Sequence, residues 1–140
     1  MLIYIHYPHC TRRCNYCDFA VSPGEEFPAK AYSDQVIEEL KVRLSGAQVE
    51  TVYIGGGTPS LWPIAELRRV VRALKLCTSL ATDSEWTIEI NPEMISQAHC
   101  QAYYEMGFNR ISLGAQSLQT DTLRRLSRSH SSQDVIQAIR

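Results

Sequence analysis

The chain has 140 residues, with 14 basic and 15 acidic side chains and a formal charge of −1. That balance gives no electrostatic drive toward nucleic acid, and 44% apolar with 21% charged residues is a globular composition, neither disordered nor fibrous. Apolar runs are strand-sized, far short of the roughly 20 residues of a membrane span, and Met1 leads straight into one with no targeting peptide, so the expected location is cytoplasmic.

In chain order, Leu2-Ile3-Tyr4-Ile5 is β-branched and aromatic and predicts a first strand, ended by Pro8. Ser22-Pro23-Gly24 through Pro28 is turn-rich. A helix is predicted from Ala29 to Leu44, with Val36, Ile37, Leu40 and Leu44 on one face and Gly46 as its stop. Thr51 to Ile54 reads as the second strand. After Pro63, Leu67, Val70, Val71 and Leu74 repeat at i, i+3, i+4, i+7 and predict a second helix. Trp86 to Ile90 is the third predicted strand, ended by Pro92. Ser96 is positioned to cap a third helix reaching Met106, with Gly107 past its end. Arg110 to Gly114 is the fourth strand and Asp121 to Leu126 a short helix. Ser132 is the expected cap of a last helix carrying Val135, Ile136 and Ile139. Strands alternating with helices predict an α/β fold with a parallel sheet. Such a sheet needs both faces covered, and an open edge strand is an association liability. The predicted last helix shows no stop signal before Arg140, so residues 1–140 read as a single, incomplete core domain at the start of a longer protein.

Five cysteines are present. Cys77 and Cys100 fall in helical patterns and read as small buried hydrophobes. The other three form the run Cys10-Thr11-Arg12-Arg13-Cys14-Asn15-Tyr16-Cys17, directly after the first strand. A disulfide is disfavoured where thiols stay reduced. The C-x3-C-x2-C spacing fits two metals about equally. One is a closed Cys3His zinc site completed by His6 or His9. The other is a [4Fe–4S] cluster with three thiolates. Electron-transfer clusters use four Cys, so three leave one iron open to a small molecule. A second motif tips the balance toward the cluster. Ile54-Gly55-Gly56-Gly57-Thr58-Pro59-Ser60 follows a predicted strand, and its glycines permit close approach of a ligand to the backbone. Loops at the carboxyl ends of parallel strands converge on ligands. That rule groups the cysteine loop with Gly56, Gly57, Thr58, Glu89 and Gln116. Glu89, an acid between Ile88 and Ile90, needs a partner if buried.

Taken together, these two motifs with Tyr4-Ile5-His6-Tyr7-Pro8-His9-Cys10, Glu89-Ile90-Asn91-Pro92, Gly107 to Ser117 and Arg125-Leu126-Ser127-Arg128-Ser129-His130 resemble one radical-SAM family. It is the family of oxygen-independent coproporphyrinogen III oxidases and their haem-chaperone relatives, the HemW branch. The resemblance runs from residue 2 to about residue 137. It implies the N-terminal portion of a partial (β/α)6 barrel. It also implies a [4Fe–4S] cluster on Cys10, Cys14 and Cys17 whose open iron takes S-adenosylmethionine (SAM). Gly56, Gly57 and Thr58 would receive the SAM amine. Tyr4 and Tyr16 would lie beside SAM, unless they simply pack beneath the loop. Glu89 and Gln116 would make polar contacts, and Arg128 would meet a carboxylate through its fork. His6 would assist electron or proton transfer, with His9 the weaker candidate. Arg12 and Arg13 would either offset the cluster's charge or be simply exposed. Partners implied by the resemblance are SAM, haem or a porphyrin, and a haem-accepting protein. The oxidases carry a Cys two positions after the third cluster Cys, where this chain has Phe19. That favours the chaperone branch over the alternative, an oxidase that decarboxylates coproporphyrinogen III. Relatives hold further SAM contacts and a haem-linked C-terminal domain outside the matching region, so a complete cycle is not expected from these residues alone.

Overall fold

The computed structural model describes residues 1–140. The chain runs through β1 (Leu2–Tyr7), β2 (His9–Cys10), β3 (Ser22–Pro23), α1 (Ala29–Arg43) and β4 (Ala47–Gly56). It continues through α2 (Ile64–Cys77), β5 (Thr78–Ile90), α3 (Gln97–Met106), β6 (Arg110–Leu113), α4 (Thr120–Arg125) and α5 (Ser132–Ile139). Strands β1, β4, β5 and β6 form one parallel sheet in that order. Each adjacent pair is joined by one helix, α1, α2 or α3, so the predicted α/β fold with a parallel sheet is observed. No helix is long and apolar enough to cross a membrane.

The alternation of each strand sets the two faces. Ile3, Ile5 and Tyr7 of β1, Val52 and Ile54 of β4, and Trp86, Ile88 and Ile90 of β5 are buried on the helix side. There they meet Leu40 of α1, the Leu67, Val70, Val71 and Leu74 stripe of α2, and Tyr103 and Met106 of α3. The other face is polar. Its register aligns Tyr4, Tyr53, Thr87 and Arg110 in one row across the four strands. His6, Gly55, Glu89 and Ser112 follow on the same side. A face of hydroxyls, a carboxylate and an imidazole tolerates water. Among these residues the helices α1, α2 and α3 pack on one face of the sheet, opposite the polar row.

Several boundaries also differ from expectation. β4 and β5 begin well before the apolar runs that predicted them. Thr78, Ser79 and Leu80 pair with Ala47, Gln48 and Val49, and a register shift between Val49 and Thr51 restores the pairing further on. These early residues are mostly polar or small, with Val49 and Leu80 the larger apolar side chains, so periodicity did not mark them. The cap of α5 is Ser131, not Ser132. The Ser131 hydroxyl accepts from the Asp134 amide at 3.2 Å, and the Asp134 carboxylate accepts from the Ser131 amide at 2.7 Å. Two serines stand side by side, and the acid three residues on selects the first. Ser96 and Gly107 bound α3 as predicted, with Gly107 at φ +104°.

β6 pairs with β5 alone, and its Ile111 is 41% exposed on the helix side. An edge strand with free backbone groups and an apolar side chain templates pairing with another chain. The 140-residue chain is expected to sediment as a concentration-dependent associating species, and Ile111→Lys to shift it toward monomer. Identical sedimentation of the two proteins would rule out this edge as the contact.

Candidate functional site

A cavity of about 450 Å³ opens at the carboxyl ends of the four main strands. Cys10 borders it from the end of β2, and Cys14, Tyr16 and Cys17 from the loop that follows. Gly56, Gly57 and Thr58 border it after β4, Glu89 from the end of β5, and Gln116 and Arg128 from beyond β6. The predicted cluster cysteines and SAM contacts, except Tyr4, therefore line one cavity, and His6 and His9 do not. Tyr4 lies on the polar face of the sheet, stacked on Tyr53, with its hydroxyl donating to His6 Nδ1 at 3.0 Å.

The cysteine loop is closed at its base by a feature that periodicity did not reveal. β2 and β3 pair in parallel, His9 with Ser22 and Cys10 with Pro23. The Ser22 amide donates to Pro8 O at 2.8 Å and the Gly24 amide to Cys10 O at 2.9 Å. Residues 11–21 project from this clip. Cys10 is buried at its root, and burial pushes its thiol up, opposed by a hydrogen bond from the Thr58 hydroxyl at 3.4 Å. Cys14 and Cys17 form a turn closed by a 3.1 Å amide-to-carbonyl bond. All five cysteines are free thiols.

The Gly-rich run is shaped by this clip. Gly56 adopts φ +116°, a region costly to any side chain. A Cβ on Gly57 would stand 2.6 Å from His9 O, 2.8 Å from Pro8 O and 2.9 Å from Cys10 Sγ. The close approach at Gly57 is thus made by the chain's own cysteine loop. That loop is held against the end of β4 by Gly57 N donating to Tyr7 O at 2.8 Å and Thr58 N to His9 O at 2.8 Å.

Glu89 has the partners its position demands. Its carboxylate accepts from the Tyr53 hydroxyl at 2.7 Å and from the Gly56 amide at 3.1 Å. Tyr53 escaped the sequence reading. The signal was its register: one residue before Ile54, it shares the polar face with Glu89. Asn91 was also missed. Its Oδ1 accepts from Arg128 Nη2 at 2.8 Å, and the same nitrogen donates to Gly114 O at 3.0 Å. Arg128 Nη1 points at Cys14 Sγ from 3.7 Å, while its Nε is buried without a partner. Arg128 is therefore no solvated surface charge. Gln116 holds φ +61°, a strained backbone in a residue that is not glycine. Tyr16 is 48% exposed at the cavity, so it is not an aromatic packed beneath the loop.

The histidines do not turn toward the thiols. His6 Nε2 donates to Ala20 O at 2.8 Å, leaving Nδ1 to accept from Tyr4. His9 Nε2 donates to Gly24 O at 3.0 Å, with its ring stacked on Phe27. Neither ring lines the cavity, which removes the fourth ligand a Cys3His zinc site requires. Thiolates of a four-iron cluster bind different irons, and the three cysteines border one cavity. The Thr58 hydroxyl and the Arg128 guanidinium add donors to two of the sulfurs, and thiolates bound to iron are relieved of negative charge by such groups. The residues present fit a cluster. Arg12 and Arg13 spend their donors on backbone carbonyls, Arg12 on Ser127 at 2.6 Å and Arg13 on Phe19 at 2.8 Å.

Comparison with known proteins agrees with this geometry. The radical SAM superfamily matches residues 4–140. The chain is 37% identical, over 97% of its length, to the heme chaperone HemW of Synechocystis, and spans 35% of that protein. It is also 37% identical, over 98% of its length, to the bovine mitochondrial radical S-adenosyl methionine domain-containing protein 1, spanning 32% of it. Its fold superposes with a TM-score of 0.89 on coproporphyrinogen III oxidase (HemN) from Escherichia coli, described as a radical SAM enzyme. That match is 26% identical and covers 99% of this chain and 32% of the oxidase. The chain thus spans about a third of the length of the relatives it matches. With three cysteines and Gly56, Gly57 and Thr58 bordering one cavity at the end of a four-stranded parallel sheet, and a family match over residues 4–140, the chain belongs to the radical SAM superfamily.

Proposed function

We propose that this chain houses the cluster and SAM site of a protein of the haem-chaperone branch. The observation that carries the reading is the cavity shared by Cys10, Cys14, Cys17, Gly56, Gly57 and Thr58. In this reading the three cysteines hold a [4Fe–4S] cluster, and Gly56, Gly57 and Thr58 receive the SAM amine. Tyr16 lies beside the adenine, Glu89 and Gln116 supply polar contacts, and Arg128 is placed for a carboxylate. Cluster and SAM, when bound, supply one-electron cleavage of a sulfonium, chemistry that belongs to the cofactors. The chain's own residues orient them. Haem, passed to a haem-accepting protein, is the proposed cargo, and Phe19 at the cavity wall supports this over the oxidase alternative. A cytoplasmic location is the proposed one, where thiols stay reduced and able to take up iron.

Anaerobic reconstitution with iron and sulfide tests the site. Saturating SAM is expected to change the electron paramagnetic spectrum of the reduced cluster. An unchanged spectrum in protein with full iron and sulfide content would sink the SAM pocket. In the longest available reading frame, haem binding without coproporphyrinogen decarboxylation is expected. Decarboxylation would instead establish the oxidase.

A further inference from the structure

The tip of the cysteine loop is tied to a segment more than a hundred residues away. Arg12 Nη2 donates to Ser127 O at 2.6 Å, Asn15 Nδ2 to Arg125 O at 3.4 Å, and Arg128 Nη1 to Cys14 Sγ at 3.7 Å. Arg125 ends α4, where the last carbonyls lack intrahelical partners and a cation is favoured. Ser127 sits at φ +55°, a strained conformation that the surrounding contacts must hold in place. Arg128 is itself anchored to Asn91 and Gly114, at the ends of β5 and β6. A Cβ on Gly114 would stand 3.1 Å from Asn91 Oδ1 and 3.4 Å from Arg128 Nη2, so the anchor also depends on that glycine. The clip of β2 and β3 secures the loop only at its base. Without the distant contacts, residues 12–15 have little else to hold them.

We infer that Arg12, Asn15 and Arg128 are positioning residues that lock the cysteine loop onto the end of α4. Loading the loop and ordering residues 120–128 are then one coupled event. This rests on the reading of the loop as the cluster site. Physically, bound iron fixes Cys14, which fixes Arg128 and the carbonyls that Arg12 and Asn15 need. The same linkage runs in reverse: ordering the segment favours loading.

Hydrogen exchange read by mass spectrometry, with iron and sulfide measured in the same samples, tests this. In the wild-type chain, reconstitution should slow exchange of peptides covering 120–128 severalfold. At saturating iron and sulfide the double variant Arg12→Ala, Asn15→Ala should reach the same iron content, while needing more iron to get there, but lose most of that slowing. Arg12→Lys should keep part of it, because an ammonium still donates to Ser127 O. Peptides from α2, remote from the loop, should exchange alike in all samples and report an intact fold. Equal slowing in wild type and double variant at equal iron content would overturn the inference. If the wild type takes up no iron and sulfide, the cluster reading fails instead. The metal-free proteins then decide the clasp alone: the double variant must exchange 120–128 faster than wild type, and equal rates would refute it.

Discussion

Cys14→Ala is expected to abolish the cluster outright. Wild-type chain reconstituted anaerobically should show broad absorbance near ~400 nm and an electron paramagnetic signal on reduction, as thiolate-bound clusters do. Cys14 is the middle cysteine of the loop and the proposed ligand that faces Arg128. Its loss leaves two thiols, and the guanidinium loses its sulfur partner. Cys77→Ala and Cys100→Ala should leave both signals intact, because Cys77 ends α2 and Cys100 lies in α3, neither at the cavity. A full cluster in Cys14→Ala, by iron count and spectrum, would refute the ligand assignment.

Gly57→Val should be strongly damaging by crowding alone. The first side-chain atom would lie 2.6 and 2.8 Å from two backbone carbonyl oxygens and 2.9 Å from Cys10 Sγ. Backbone cannot rotate aside as a flexible side chain can. The expected cost therefore exceeds the roughly 1–3 kcal/mol of ordinary overpacking, against a typical net stability of roughly 5–15 kcal/mol. Cluster loading should fall with it, since the displaced strand carries Cys10. Gly46→Ala provides the contrast. Gly46 has φ +74° with nothing within 4 Å of a Cβ, so only backbone strain of about 1–2 kcal/mol is at stake. Urea unfolding of the two variants separates crowding from strain. Equal midpoints would show that the β2 backbone yields to Gly57, and that the closeness there is not structural.

Much of this molecule is legible from local pattern. The alternation in Leu2 to Ile5 and Trp86 to Ile90 and the helical stripe of Leu67, Val70, Val71 and Leu74 each report burial on one side. Burial is set within a few residues. The cysteine spacing and the Gly-Gly-Gly-Thr run were equally plain, because a loop that surrounds a ligand draws several of its groups from one short segment. The rule that loops converge at the carboxyl ends of parallel strands then placed them together.

Other features have no local signature. Tyr4 shares an alternating strand with buried neighbours, yet its hydroxyl goes to His6 and leaves it outside the cavity. The polar character of the uncovered face appears only when the register sets Tyr53, Glu89 and Ser112 side by side. The β2–β3 clip, the Asn91–Arg128 anchor and the Arg12–Ser127 contact all join side chains or backbones that sequence separates. By itself, the sequence determined where the four main strands and the helices between them lie and which stripe of each is buried, and it put forward the cysteine loop and the Gly-rich run as the candidate site. Periodicity and composition act over one or two turns of chain, and that range suffices for those properties. Only the tertiary structure decided which polar groups meet. A single hydrogen bond depends on ångström-scale placement of strands that pair across dozens of residues, and no short-range pattern encodes that placement.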